Sequence, residues 1–177
     1  LLSMPPTFSV YTSDAQVSGT QLVEIARDDE GNLDEAAVLE RVSKGDIDIV
    51  MIASPNNPTG GCARTDFLLT LLDATDALVV VDQAYVEFAD EQEDMSGYID
   101  KHRNLAIVRS FSKGYALAGI RLGYLIANTE VIKELLKVRQ PYSVDRFSAL
   151  AGIAALAAKK QMLRSVEQMV AQRQRVG

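Results

Sequence analysis

The chain has 177 residues, 47% of them hydrophobic and 24% charged, with 24 acidic against 18 basic side chains and a formal net charge of −6. That length closes the core of one domain, or of one domain with an appendage, and with no block of Lys/Arg to neutralise a line of phosphates, no nucleic-acid partner is expected. A single cysteine, Cys62, forms no internal disulfide and suits a reducing compartment, and the longest apolar run, Ala149 to Ala158, falls short of the ~20 residues that span a bilayer, so a soluble cytoplasmic protein with no membrane partner is expected.

The opening "LLSMPPTFSVY" reads as the exit of a strand into a loop. Residues 21–27 predict a strand and 32–44 a helix, with Asn32 and Glu35 at capping-box spacing. Residues 47–54 form a near-continuous apolar run, the pattern of a strand buried on both faces. A turn-rich "PNNPTGG" follows, then a helix over 64–75, a strand over 77–82, a loop through Gly97, and strands over 104–110 and 121–128. Residues 129–140 predict a helix and 145–175 a long one, with a break near 159–161 left open. Strands alternating with helices give an α/β class, a mostly parallel sheet flanked by helices on both faces.

In this scheme Asn57 follows one strand, Asp82 ends the next, and Ser110, Ser112 and Lys113 follow a third. Ligands of open α/β sheets bind beyond the carboxyl ends of the strands, so parallel strands would turn all three clusters toward one crevice. Each cluster also has a plain explanation. Asn, Pro and Gly favour turns, Asp82 can cap, Lys113 can extend from a sheet end to water, Arg121 can pair with a carboxylate, and Phe8 and Tyr85 suit a core or its rim. His102 sits in the polar "DKHRN" and reads as a surface residue, with no metal-ligand spacing around it or Cys62. "SFSK" matches the S-x-x-K of serine β-lactamases, but the companion S-D-N and K-T-G elements are absent. Neither a P-loop nor a G-x-G-x-x-G fingerprint occurs.

In order, "PPTFSVY", "SPNNPTGG", "VVVDQAYVEF" and "RSFSKGYALAGIRLGY" resemble a fold-type I pyridoxal-phosphate aminotransferase of class I/II. The pairing of D-x-A-Y-x-E-F with S-K-x-x-x-L-A-G-x-R-x-G-Y is most similar to the histidinol-phosphate branch. The resemblance covers essentially the whole chain. It implies a pyridoxal 5'-phosphate cofactor, a small-molecule amino donor, a 2-oxo acid acceptor and a homodimer in the full-length protein. Residue by residue, it implies that Lys113 condenses with the cofactor aldehyde and then moves a proton between substrate and cofactor carbons. Asp82 is implied to face the pyridine nitrogen, Asn57 and Tyr85 to bond the phenolic oxygen, and Phe8 to stack on the ring. Ser110, Ser112 and Arg121 are implied to hold the phosphate, for which hydroxyls and a planar guanidinium are suited. Gly114 and Gly119 read either as points of close backbone approach or as a flexible loop.

Gln83 departs from the glutamate frequent in the family. The resemblance further implies a large cofactor-binding domain over 1–158, incomplete at its N-terminus, and a helix over 159–177 leading to a smaller C-terminal domain that supplies the arginine for the substrate carboxylate. By itself such a chain is expected to bind cofactor weakly and turn over poorly. A decarboxylase of the threonine-phosphate type would share nearly all these residues; it, another class I/II aminotransferase, and the aminotransferase-like ligand-binding domain of a transcription regulator stand as alternatives.

Overall fold

The apolar segments at 47–54, 77–82 and 104–110 become the middle of one sheet in the computed structural model, which describes residues 1–89 and 94–176. In chain order the elements are β1 (Leu2–Ser3), α1 (Val10–Ser18), β2 (Val23–Glu24), α2 (Glu35–Val42), β3 (Ile49–Ala53), α3 (Thr65–Ala74), β4 (Leu78–Asp82), β5 (Leu105–Ser110), β6 (Gly123–Ala127), α4 (Thr129–Val138), α5 (Arg146–Ala157) and α6 (Lys159–Val176). The strand order is β2-β1-β3-β4-β5-β6. All neighbours pair in parallel except β6, which is antiparallel to β5. A parallel return needs a long crossover, and the connection from β5 to β6 holds only a 3-10 turn, Ala118–Ile120, so the chain doubles back.

Alternation along the strands sorts two faces. Val50 and Ile52, Val79 and Val81, and Leu105 and Ile107 are solvent-free and form one core with Val38 and Val42 of α2 and with Phe67, Leu68, Leu71 and Leu72 of α3. Each such side chain removed from water stabilises the fold by about 1.5–3 kcal/mol. Ala53, Val80 and Ala106 point the other way and are also buried. Asp82 shares this second face with Val80, two residues back, and α1 covers it through Tyr11.

Several expectations change. The segment 21–27 ladders only at Val23–Glu24; beyond it Arg27 N–H donates to the Pro5 carbonyl at 2.7 Å, because the partner segment runs into Pro5 and Pro6, which have no N–H to return. Asp34, not Asn32, caps α2, its carboxylate accepting from Ala37 N–H at 2.9 Å. Asn32 is instead held by Asp28, donating from its backbone and side-chain nitrogens at 2.7 and 3.0 Å. The helix α1 was not expected, since only Tyr11 and Ala15 of it are buried and the apolar stripe is thin. The break left open near 159–161 is present at Ala158, where the helical span 145–175 divides into two helices. Coverage is full over β3 and β4, whereas Leu136 and Val138 of α4 and Phe147 and Ile153 of α5 stay exposed. His102 is largely buried rather than on the surface, its Nδ1 3.5 Å from Asp73. Among the described residues no helix is long and apolar enough to cross a membrane.

A glycine starts β6 for a steric reason. A Cβ on Gly123 would lie 2.8 Å from the Arg109 carbonyl oxygen, backbone that cannot move without breaking the β5–β6 ladder. At Gly152 of α5 the obstacle is the tip of Leu122, 2.5 Å away, which can rotate. Gly123→Ala is therefore expected to cost about 2 kcal/mol or more of unfolding free energy, and Gly152→Ala clearly less, since Ala also returns up to about 1 kcal/mol of helix propensity. Urea unfolding of both variants checks the order; equal losses would show that the sheet edge yields.

Candidate active site

The carboxyl ends of three parallel strands meet at one level because Ala53 is in register with Asp82, and Asp82 with Val108. A cleft opens there, lined by Phe8, Tyr11, Asn57, Asp82, Tyr85 and Lys113, with Ala53, Pro55 and Ala84 completing its walls. Five of the eight residues singled out in the sequence thus share one cleft.

Asp82 ends β4 with both oxygens engaged. Oδ1 accepts from Ala84 N–H at 3.0 Å and Oδ2 from the Tyr11 hydroxyl at 2.7 Å, which fixes the plane of the carboxylate. Burial, then the Asp82 charge and the hydrogen bond to it, push the Tyr11 phenol above the ordinary tyrosine range, so Tyr11 stays a donor. The ring of Phe8 meets that of Tyr11 edge to face, centroids 5.7 Å apart. Lys113 is exposed and its ammonium lies 4.8 Å from the centroid of the Tyr85 ring, a cation–π approach.

Asn57 is positioned by its neighbour. Asn56 is buried, accepts from the Thr7 hydroxyl at 2.7 Å, and donates to the Pro6 carbonyl at 3.0 Å and the Thr59 hydroxyl at 2.8 Å. Its backbone pairs with Gly60 and Gly61. The "PPTF" and "NNPTGG" segments are thereby tied to each other, which sets Phe8 and Asn57 on one cleft.

Ser110, Ser112 and Arg121 do not line the cleft; they lie on the segment that leaves β5 and returns to β6. Ser110 Oγ accepts from Ser112 N–H at 3.0 Å. Arg121 is exposed, has a left-handed backbone with φ 50°, and donates to the Ala118 carbonyl at 3.0 Å. The loop is braced by Phe111 N–H to Leu122 O, by Leu117 N–H to Phe111 O, and by the Ser148 hydroxyl to Ile120 O at 2.7 Å. Gln83 is buried beneath it, and its amide oxygen accepts from Arg109 Nη2 at 2.8 Å and Nε at 3.3 Å, while Arg109 Nη2 also meets Asp94 at 2.7 Å. A neutral amide takes the fork and Asp94 supplies the charge. Gly119 has nothing within 4 Å of its Cβ position, so its glycine serves no close approach, whereas Gly114 abuts Glu87.

Sequence reasoning missed Tyr11 and Asn56. Tyr11 lies one helical turn from Phe8, a spacing that would have revealed it had α1 been recognised. Asn56 carries no signal apart from the Asn-Asn doublet.

The chain belongs to the aminotransferase class I and II family, whose model matches residues 1–176. It is 40% identical over 175 residues to histidinol-phosphate aminotransferase 1 of Carboxydothermus hydrogenoformans, covering 99% of this chain and 49% of that protein. Among solved structures, histidinol-phosphate aminotransferase from Sinorhizobium meliloti, in complex with pyridoxal-5'-phosphate, superposes with a TM-score of 0.92 at 26% identity, over 100% of this chain and 49% of that one. L-threonine-O-3-phosphate decarboxylase from Porphyromonas gingivalis superposes with a TM-score of 0.80 at 27% identity, over 94% of this chain and 49% of that one. The chain spans about half the length of the curated relatives it matches.

The Tyr11 to Asp82 bond has a pH signature. A phenol whose folded-state pKa is raised adds stability that is fully present below about pH 10, the value in the unfolded chain, and is lost as pH climbs from there toward the folded-state value. Tyr11→Phe is expected to lose about 2 kcal/mol at neutral pH, the worth of a hydrogen bond to a charged group, and to show a shallower fall above pH ~10 than the parent, by up to about 1.4 kcal/mol per pH unit. Urea unfolding across pH 7 to ~11 measures both; parallel curves would refute the assignment.

Proposed function

We propose that the protein carrying this chain is a pyridoxal-phosphate-dependent aminotransferase acting on histidinol phosphate and 2-oxoglutarate, to give imidazole acetol phosphate and glutamate in histidine biosynthesis. The observation that carries it is the meeting of an ammonium, a bonded carboxylate, an amide, a phenol and an aromatic face on one cleft, from Lys113, Asp82, Asn57, Tyr85 and Phe8. That donor set fits a pyridine aldehyde: an anion for a ring N–H, an amide and a phenol for a phenolate, an amine for the aldehyde, and an apolar ring for a flat face. When bound, the cofactor supplies the aldehyde that condenses with amines and a cationic ring that takes up the electrons freed at the substrate carbon.

The residues then have separate tasks. Asp82, its plane set by Tyr11 and Ala84, holds the proton on the ring nitrogen. Asn57 and Tyr85 hold the phenolic oxygen, and Phe8 keeps water from the ring face. Lys113 would hold the cofactor aldehyde and, as a free amine, would move the proton between the substrate carbon and the cofactor carbon. Ser110, Ser112 and Arg121, on the loop that carries Lys113 but outside the lining of the cleft itself, are assigned the phosphate by the family resemblance alone. The choice of histidinol phosphate rests on the likeness to enzymes of that name, and we propose that the full-length protein acts in the cytoplasm as a homodimer. In this reading residues 1–158 are the large domain and 159–177 the lead into a smaller one, outside this chain, that grips the substrate carboxylate.

The likeness to the Porphyromonas gingivalis decarboxylase favours a second reading, in which the same cleft breaks a bond to carbon dioxide instead of one to hydrogen. Incubation with pyridoxal phosphate, reduction with borohydride and peptide mapping are expected to label Lys113, and Lys113→Ala to leave no label and no turnover. Asp82→Asn is expected to lower kcat by about tenfold to a hundredfold, the worth of a charged hydrogen bond of about 1.5–3 kcal/mol. Glutamate formed from histidinol phosphate and 2-oxoglutarate by the full-length protein supports the aminotransferase; carbon dioxide released from threonine phosphate would replace it with the decarboxylase.

A further inference from the structure

Glu87 stands in the 3-10 turn Val86–Phe88 directly after Tyr85. Its Oε2 is shielded from solvent and has no hydrogen-bond partner, an arrangement that costs stability. What lies against it is the lysine loop. A Cβ placed on Gly114 would be 3.0 Å from Glu87 Cγ and 3.1 Å from Cδ and Oε2. The backbone of Gly114 is not left-handed, so this contact, and not conformation, is what crowds a side chain there. Two residues earlier, the Tyr85 ring faces the Lys113 ammonium at 4.8 Å. One short turn therefore touches two consecutive residues of the loop, Lys113 through an aromatic face and Gly114 through a carboxyl group.

We propose that Glu87 is a positioning residue: its side chain is the stop against which Gly114 rests, and the pair sets how far Lys113 reaches over the cleft. Burial raises the Glu87 carboxyl above the ordinary range, opposed by its own backbone N–H and, at longer reach, by Arg109 and Lys159. A carboxyl so desolvated suits contact with a loop that brings it no donor. The proposal rests on Lys113 being the reactive amine, but the contact is testable without cofactor.

In cofactor-free protein, trace acetylation with acetic anhydride followed by peptide mass spectrometry gives a rate for each lysine. Glu87→Ala and Gly114→Ala are each expected to change the Lys113 rate by about threefold or more, the size of coupling between touching residues. Lys133 and Lys137 of α4 should stay at parental rates in both, and Glu87→Gln, which keeps the shape, should restore Lys113. In the double variant the Gly114→Ala effect should shrink, because the obstacle is gone. Unchanged Lys113 rates, or effects of the two substitutions that simply multiply, would overturn the proposal. If Glu87→Ala unfolds, as altered rates at Lys133 and Lys137 would reveal, Glu87→Asp, one methylene shorter, carries the same comparison. A parent that reacts normally here yet gives no borohydride-reducible adduct at Lys113 removes the aminotransferase reading and leaves this contact standing.

Discussion

Parallel pairing sets Ala53 beside Asp82 and Asp82 beside Val108, so three strands end together and the loops after them leave from one edge. Everything at the site follows from that register. A parallel strand buried on both faces has no solvent side on which to carry polar groups, and Val79, Val80 and Val81 of β4 are all buried. The first place where β4 can carry a charge is its last residue, and Asp82 is there. A shift of one residue would turn that carboxylate into the Val50–Val79–Leu105 core.

Orientation then comes from elements outside the strands. The Tyr11 hydroxyl and the Ala84 N–H hold the two oxygens of Asp82, so a helix on one side and a turn on the other fix one carboxylate. Lys113 belongs to a loop that includes two non-glycine residues with left-handed backbones, Ala116 and Arg121. Such conformations cost of order 1 kcal/mol or more each and persist only where surroundings impose them. Here the impositions are visible: the Phe111–Leu122 and Leu117–Phe111 bonds close the loop on itself, and Ser148 of α5 fastens Ile120. A strained, braced loop around Lys113 is the arrangement expected when position matters more than stability.

Buried polar groups around the cleft are paired in a way that spreads the work. Asn56 joins the start of the chain to the turn after β3, uniting segments about fifty residues apart. Gln83 accepts the Arg109 fork without adding charge, and Asp94 provides it from a separate turn. Gln83 therefore leaves Arg109 bonded, with Asp94 as its ionic partner.

Residue order alone determined the strand-helix alternation, the burial of the central strands and the alignment of Asn57, Asp82 and Lys113 after successive strands, because apolar period and turn chemistry are local properties. It also carried the family motifs, which are linear by nature. Tertiary structure decided the rest. Asn32 and Asp34 are equally good caps on paper, and only the capture of Asn32 by Asp28 leaves the task to Asp34. The ladder of 21–27 stops where its partner becomes Pro5, and β6 runs backward across a connection that folds into a braced loop and holds no crossover helix. Tyr11 reaches Asp82 across some seventy residues from a helix whose thin apolar stripe gave no sign of it. Ser110, Ser112 and Arg121 read as one cluster with Lys113, yet the turn that carries them sets their side chains on the loop and off the cleft wall. Which side chains face a shared cavity depends on loop paths and inter-element bonds, and those are non-local.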